Sequence, residues 1–479
     1  MLDTPLEHHR FQHYSNSHEI EHYLTALALA AGPYARVENL GRSAEGRPLQ
    51  GLYCERPNPR RDRTGRLRIL LVGSQHGASE AAGGEALLML ARALLLGEAQ
   101  DLLDDFDFLL IPNANPDGRE RDSSRNGNDI NLNRDFVLLS QPESAALDAV
   151  VLRYQPDVIL DAHESASLKQ HSLGREGYLT DFEAQFDIGN SPAVAKSLRE
   201  FAEHALLPAL FAGVSARGLR VQRYIREITS TRQPITHGVL TARNFRNKAA
   251  LRGCLTVLLE TPMEPKAGVY PSFRNIEVRA QRQITCMEVF LAVVRELRSA
   301  IARARAEALR LASGETIALN GCYVRHPHSP EVIINLRHRD TWLPAPMTFE
   351  DWRCIEARDW LAIPSGYVVR AHHAVFANLF SRHAIPFEIL AADTEFAVEE
   401  ERFTGFDPVE GTWNTCETVR LKRTLPAGSL HVPLTHQTGR LLPLLLEPRS
   451  ESSVFRYLAY ARLLEHDPEP AVARCLLSG

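Results

Sequence analysis

Two strand-like apolar runs that each lead to a histidine constrain this chain more than any other feature. The run over residues 68–73 (RILLVG) is followed shortly by His76, and the run over residues 158–160 (VIL) is followed by Asp161 and His163. Open α/β sheets place their chemistry in the loops at the carboxyl ends of strands. We therefore expect both histidines to lie at one edge of a sheet, where an imidazole can bind a metal or transfer a proton.

A carboxylate near the first histidine completes a set of metal ligands. Glu80 follows His76 by four residues, and a short loop could bring it round to the histidines. Two histidines, one carboxylate and an open fourth position for water are the ligands of a catalytic zinc ion. We predict that His76, Glu80 and His163 bind one zinc ion at ligand distances of about 2.0–2.2 Å.

The segment between the two runs is rich in turn-forming residues and ends in two neighbouring hydrogen-bonding side chains. Residues 112–136 are PNANPDGRERDSSRNGNDINLNRDF, in which Asn-Pro, Asp-Gly and Asn-Gly are turn signals. Asn133 and Arg134 stand together near its end. A planar guanidinium such as that of Arg134 can bind a carboxylate bidentately.

Over residues 66–262, the order of these elements resembles that of the zinc carboxypeptidase family, the relatives of carboxypeptidase A. The pair of His76 and Glu80 resembles the first two metal ligands of that family, and His163 in DAHE resembles the third. Glu260, in the apolar run CLTVLLETP, resembles the glutamate that acts as general base. The resemblance implies that Glu260 takes a proton from the attacking water and later hands it to the leaving amine.

The loop residues extend the same resemblance. Arg125 resembles the arginine that stabilises the oxyanion of the tetrahedral intermediate, a role that requires a fixed cation. Asn133 and Arg134 resemble the pair that binds the terminal carboxylate of the substrate. Two positions depart from the family pattern. The first metal pair is usually spaced His-x-x-Glu, whereas Glu80 stands one residue further on, and residues 240–253 (LTARNFRNKAALRG) lack the tyrosine that the family carries before its general base.

The alternation of strand-like and helical patterns predicts an α/β fold. The family resemblance implies a mixed eight-stranded twisted sheet with helices on both faces. A chain of 479 residues exceeds one typical core, and its composition changes after Ser313. We predict a catalytic domain over residues 1–313 and a smaller α/β or β-rich accessory domain over residues 314–479.

Charge, cysteines and hydropathy limit the possible partners and locations. The formal net charge of −5 argues against nucleic acid as a partner. The 7 cysteines include no CxxC pair and indicate no disulfide framework. No apolar run approaches the ~18 residues of a membrane span, and the N-terminus lacks the apolar core of a signal peptide. We expect a cytoplasmic protein without a membrane partner, and its oligomeric state stays open.

A second formal metal motif lies near the N-terminus. Residues 18–22 (HEIEH) match HExxH, the zinc site of another class of metalloprotease. Ser17 before the motif is typical of a helix N-cap, and Tyr23, Leu24 and Leu27 form the apolar side of that helix. We interpret the motif as the solvated face of a helix.

Residues 217–252 reverse the net charge of the rest of the chain. Glu227 is the one acid among nine basic residues, which are Arg217, Arg220, Arg223, Arg226, Arg232, Arg243, Arg246, Lys248 and Arg252. A cleft lined by one sign of charge concentrates ligands of the other sign. The segment therefore favours an acidic substrate. The alternative is that these groups are solvated or pair with acids elsewhere in the chain.

Three functions remain open. The first is a metallocarboxypeptidase that releases the C-terminal residue of a peptide. The second is a zinc amidohydrolase of the same fold that acts on N-acyl amino acids. The third is a non-catalytic relative that binds peptides. The complete NPDG…NLNRDF segment and the appended domain favour the first, and Glu260 argues against the third because a binding module needs no base.

Overall fold

The computed structural model describes residues 2–57, 65–166, 173–263, 274–310, 315–407, 412–435, 438–465 and 470–476. The predicted domain boundary at residues 313 and 314 falls outside these ranges. Within them, no helix has both the length and the apolar character that a membrane crossing requires.

A mixed eight-stranded sheet lies at the centre of the N-terminal part and confirms the predicted architecture. Its strands run in the order β1-β2-β4-β3-β5-β9-β7-β8. The N-terminal strands are β1 (Ala35–Arg42), β2 (Pro48–Cys54), β3 (Leu67–Gly73), β4 (Phe106–Ile111), β5 (Val158–Ala166), β6 (Tyr178–Thr180), β7 (Ala184–Ile188), β8 (Val221–Arg223) and β9 (Leu255–Met263). Strands β4, β3, β5 and β9 are parallel to their neighbours in that series, so their carboxyl ends share one edge of the sheet.

Helices cover both faces of this sheet. They are α1 (Pro5–His8), α2 (Ser17–Ala31), α3 (Ala82–Leu96), α4 (Pro116–Glu120), α5 (Pro142–Tyr154), α6 (Lys196–Phe201), α7 (Leu207–Ala216), α8 (Phe245–Leu251), α9 (Ile276–Glu296) and α10 (Arg298–Ala308). Side chains alternate between the faces of a strand. Ile69 and Leu71 of β3 accordingly share a core with α3 and α9, whereas Leu70 and Val72 share another with α5 and α8. Burial on both faces explains why residues 69–72 of β3 and residues 158–160 of β5 are apolar runs.

The C-terminal part is rich in β-structure, as the sequence predicts. Its elements are β10 (Thr316–Val324), β11 (Glu331–Ile334), β12 (Leu336–His338), β13 (Met347–Glu350), β14 (Cys354–Ala362), β15 (Gly366–Val369), α11 (His373–Arg382), β16 (Glu388–Ile389), β17 (Thr394–Asp407), β18 (Thr412–Leu425), β19 (Leu430–Pro433), α12 (Leu441–Leu446), α13 (Leu458–Glu465) and β20 (Val472–Cys475). Six of these strands form a second sheet in the order β16-β19-β15-β20-β17-β18.

The C-terminal part packs directly against the N-terminal part. Strand β12 pairs with β6 in an antiparallel two-stranded sheet. The largest apolar core contains residues of both parts, among them Phe290 of α9 and Phe376 of α11. The two parts are therefore joined by backbone pairing and by shared apolar burial.

The N-terminal HEIEH motif lies on α2, but the capping residue differs from the prediction. Asn16, rather than Ser17, is the N-cap: its side chain accepts from the backbone of Glu19, and the Glu19 carboxylate accepts from the backbone of Asn16. This reciprocal capping box satisfies two backbone donors that a serine one residue later could not reach together. The centroids of the His18 and His22 imidazole rings lie 3.9 Å apart. Neither histidine belongs to the metal-binding group found among the described residues.

Candidate metal centre and active site

Three side chains from two strands converge at the carboxyl edge of the sheet. His76 and Glu80 lie in the loop after β3, and His163 lies in β5. The Nδ1 atom of His76 is 2.7 Å from one Glu80 carboxylate oxygen, and the Nδ1 atom of His163 is 2.8 Å from the other. One potential ligand atom from each residue lies within 4.8 Å of the others. Two imidazoles and one carboxylate are a donor set that fits zinc.

A tight turn brings Glu80 to the histidines. Residues Gly77–Glu80 form a 3₁₀ turn directly after His76. Gly77 has a φ of +53°, and a Cβ atom there would lie 2.4 Å from the carbonyl carbon of Gly118. Only glycine fits this close approach of two backbone segments. The turn thus accommodates the additional residue between His76 and Glu80.

The pKa values of Glu80 and His163 depend on their charged neighbours. Burial raises the pKa of Glu80, but the imidazoles of His76 and His163 outweigh that effect and hold this pKa well below its usual value. Burial lowers the pKa of His163, but the carboxylates of Asp161 and Glu80 reverse the shift and raise this pKa well above its usual value. Glu80 is therefore ionised beside the imidazoles, and the proton of His163 has to leave before the nitrogen that carries it can bind a metal ion.

Asp161 contacts the Nε2 side of the His163 ring, and Gln75 in turn binds Asp161. The Asp161 Oδ2 atom lies 3.1 Å from Nε2 of His163. The other Asp161 oxygen accepts a hydrogen bond from the Gln75 side chain at 2.5 Å. Asp161 is also buried. A carboxylate in this position holds a ligating imidazole in one orientation, with Nδ1 directed at Glu80.

Glu260 faces the same cluster from the neighbouring strand. It occupies the position in β9 that pairs with His163 of β5. Its Oε2 atom accepts a hydrogen bond of 2.6 Å from the Ser165 hydroxyl. Burial, with a further contribution from the charge of Glu80, raises the pKa of Glu260 to about 7. A carboxylate with this pKa can exchange protons near neutral pH, which suits a general base.

A cavity of about 320 Å³ opens beside the cluster. We call it the metal cavity. Its walls include His76, Glu80, His163 and Glu260, together with Asn133 and Arg134. The Asn133 side-chain oxygen accepts from the backbone of Phe245 at 2.9 Å, and its nitrogen lies 3.4 Å from Nε2 of His163. Arg134 donates to the carbonyl of Asn133 at 2.7 Å. Six of the seven residues that the sequence singled out thus line one cavity.

Arg125 is the exception. It is a described residue, yet it does not line the metal cavity. Its guanidinium donates to the backbone carbonyl of Asp129 at 2.7 Å, and more than half of the side chain (53%) is exposed. The structure therefore does not bring Arg125 to the cluster, because its side chain closes the turn over residues 125–129 instead.

Tyr224 lines the metal cavity and was missed as a site residue by the sequence analysis. Arg226, Arg243 and Arg246 also line it, and they belong to the basic segment that the sequence analysis expected beside an acidic substrate. Tyr224 follows β8 directly, and burial together with the charge of Glu260 raises its pKa. Its position directly after the short strand β8, within the basic segment, was the available sequence signal.

Most of the basic segment is used for ion pairs within the fold. Six of its nine cations pair with acids: Arg217 with Glu288, Arg220 with Asp181, Arg223 and Arg246 with Asp187, and Lys248 and Arg252 with Asp148. Within the described ranges, Arg226, Arg232 and Arg243 form no ion pair. Two of these three, Arg226 and Arg243, line the metal cavity.

Comparison with known proteins agrees with this site. Residues 20–165 match the model of the zinc carboxypeptidase family. Probable carboxypeptidase 2 of Trichophyton verrucosum is 25% identical over 248 residues, which cover 50% of this chain and 48% of the relative. Carboxypeptidase D of Drosophila melanogaster is 30% identical over 165 residues, which cover 28% of this chain and 12% of the relative. The chain thus spans about half the length of the first of these relatives (48%).

Among solved structures, a metallo-carboxypeptidase from Burkholderia cenocepacia aligns with a TM-score of 0.45 and 19% identity, over 60% of this chain and 71% of that chain. A metallo-carboxypeptidase from Pseudomonas aeruginosa in complex with (2-guanidinoethylmercapto)succinic acid aligns with a TM-score of 0.43 and 22% identity, over 59% of this chain and 69% of that chain. The matched residues 20–165 extend from α2 to β5 and contain His76, Glu80 and His163. The part of the chain that carries His76, Glu80 and His163 is therefore similar to the zinc carboxypeptidase family.

Proposed function

We propose that this protein is a zinc-dependent hydrolase that cleaves the C-terminal peptide bond of a peptide. The observation that carries the proposal is the convergence of His76, Glu80 and His163 beside Glu260 in one open cavity. In this proposal His76, Glu80 and His163 hold one zinc ion. Residues 1–313 form the catalytic unit, and residues 314–479 form an accessory unit, called the C-terminal unit below.

The bound zinc would polarise the scissile carbonyl and acidify a water molecule. Glu260 then accepts a proton from the attacking water on its carboxylate and delivers that proton to the nitrogen of the leaving amine. The Ser165 hydroxyl, which donates to Oε2 of Glu260, leaves Oε1 free to carry the proton. The parallel pairing of β5 and β9 keeps the base beside the ligand His163 throughout.

Arg134 and Asn133 bind the terminal carboxylate of the substrate. The Arg134 guanidinium lines the metal cavity, and its bond to the Asn133 carbonyl uses one of its five N–H donors. The other N–H groups of this guanidinium can donate two parallel hydrogen bonds to a carboxylate. The Tyr224 hydroxyl lies in the same wall and is positioned to donate to the substrate backbone.

The test is release of a C-terminal amino acid from a blocked peptide by the zinc-loaded protein. We expect activity that a chelator removes and that added zinc restores, with one zinc ion bound per chain. Faster hydrolysis of N-acyl amino acids than of peptides would favour the amidohydrolase instead. A fully zinc-loaded protein that binds peptides without cleaving them would be the non-catalytic relative.

A further inference from the structure

A second cavity of about 450 Å³ adjoins the metal cavity, and the C-terminal unit closes it. Arg226, Val239 and Arg243 line both cavities, so the two spaces share one wall. The C-terminal unit contributes Arg456 and Tyr457 to the lining. We call this space the cationic chamber.

Three guanidinium groups face the cationic chamber, and one carboxyl group faces it with them. Arg226, Arg243 and Arg456 line it, and within the described ranges none of them forms an ion pair. The Nη1 atom of Arg456 is buried and makes no hydrogen bond there. Glu451 is the acid among the described lining residues. Burial is the largest effect on its pKa and raises it, while the charges of Arg456 and Arg243 act to lower this pKa. The balance of charge in the chamber is therefore positive.

The arginines of the basic segment that line the chamber differ in their ion pairing from most other cations of that segment. Six of the nine form ion pairs with acids of the fold, whereas the two that line the chamber form none within the described ranges. Burial and the nearby Arg243 also lower the pKa of Arg134, which shows that the cations of this region repel one another. Cations that lie close together in a concave site repel one another, and the binding of an anion there lowers this repulsion.

The C-terminal unit is fastened to the loop that carries Arg243. The Tyr323 hydroxyl donates a hydrogen bond to the carbonyl of Gly238. The backbone of Ala242 donates to the Ser452 hydroxyl oxygen at 2.9 Å. These two bonds hold the loop on either side of the shared wall, so Arg456 keeps a fixed place relative to Arg243.

We propose that the cationic chamber binds a carboxylate side chain of an acidic peptide substrate whose C-terminal end lies in the metal cavity. The inference rests on the proposed peptidase function and gives it a substrate class. It also makes the C-terminal unit part of the specificity site, through Arg456. Guanidinium groups suit this role because each can bind a carboxylate bidentately.

The test uses alanine pentapeptides in which a single Glu, or the isosteric Gln, is moved through the positions upstream of the C-terminal residue. For the wild-type protein we expect kcat/KM to favour Glu over Gln by about tenfold at one position, and the preference to weaken at high salt. In Arg456→Gln the preference should fall to about twofold or less, and in Arg456→Glu a Lys peptide should be favoured at the same position.

Arg232→Gln is the matched control, because Arg232 is an exposed cation of the same segment that lines neither cavity. This variant should keep the full preference for Glu. Equal rates for Glu and Gln at every position would overturn the proposal, as would a preference that survives in Arg456→Gln while that variant melts like the wild type.

A binding measurement separates this inference from the proposed function. Calorimetric titration of the zinc-loaded Glu260→Gln variant with the uncleaved Glu and Gln peptides does not require turnover. If the wild-type protein cleaves no peptide but this variant prefers the Glu peptide through Arg456, the peptidase proposal fails and the chamber stands. If peptides are cleaved and no binding preference is found, the chamber proposal fails alone.

Discussion

His163 and Glu260 are directly paired residues on the neighbouring parallel strands β5 and β9. Paired residues of adjacent strands point to the same face of a sheet. One of these side chains belongs to the proposed metal ligands and the other is the proposed base. The hydrogen-bonded ladder between the strands therefore sets their separation without help from any loop. This arrangement should allow the base to be changed while the metal cluster stays intact.

The first prediction concerns Glu260→Gln. The amide has the shape of the carboxylate but cannot accept the proton, so we expect turnover to fall by ~10²–10⁴-fold, the usual contribution of general acid–base catalysis. Zinc content and melting temperature should stay at the wild-type values. Glu288→Gln, on the exposed side of α9, is the control and should be fully active. Near-normal turnover in Glu260→Gln would remove this residue from the mechanism.

The second prediction concerns the metal ligands. We expect His163→Ala to lose zinc, as measured by elemental analysis of the dialysed protein, because two ligands alone bind zinc weakly. His22→Ala, in the HEIEH motif of α2, is the matched control and should keep one zinc ion per chain. Zinc loss in the control would instead place metal at the N-terminal motif. An anomalous-scattering map with Glu80 directed away from the ion would show that this ligand is misassigned.

The third prediction concerns Asp161, which holds Nε2 of His163. Replacing it with Asn removes the charge that orients the imidazole, and such contacts typically contribute 10–100-fold, roughly, to metal affinity. We expect Asp161→Asn to weaken zinc binding by about that factor in competition with a chelator. Asp340→Asn, an exposed residue of the C-terminal unit, should not change the affinity. Unchanged affinity in Asp161→Asn would mean that Glu80 alone fixes the ring.

The fourth prediction concerns the pH dependence of stability. Lys248 is fully buried between the two parts of the chain, 3.0 Å from His383 and 3.2 Å from Asp148. Burial lowers the pKa of Lys248 to about 7, against the opposing effect of Asp148. Between that value and the unfolded value of about 10.4, the unfolded chain binds the additional proton, so stability increases as pH rises.

We therefore expect the urea midpoint of unfolding to rise between about pH 7 and pH 10, and Lys248→Met to flatten this rise. His383, whose pKa burial and Lys248 hold well below its usual value, adds a rise only at lower pH. Lys196→Met, at an exposed position, is the control and should keep the wild-type slope. An unchanged slope in Lys248→Met would show that Lys248 stays charged in the fold.

The sequence alone determined the class of fold and the position of the site along the chain. Strands buried on both faces must be continuous apolar runs, and the runs before His76 and His163 are therefore visible without a structure. Because parallel strands end at the same edge, the side chains near those ends could be grouped in advance. The α/β class was predictable for that reason, whereas the mixed eight-stranded sheet was expected only from the family resemblance.

Tertiary structure alone decided which side chains meet there. The 3₁₀ turn after His76 compensates for the unusual spacing of Glu80, and the register of β5 against β9 places Glu260 beside His163. The basic segment is a second example, because acids far away in the sequence form ion pairs with most of its cations. Arg456 of the C-terminal unit lines the cationic chamber together with Arg226 and Arg243. Local patterns determine strands and turns, whereas these contacts depend on strand register and packing between residues distant in the chain.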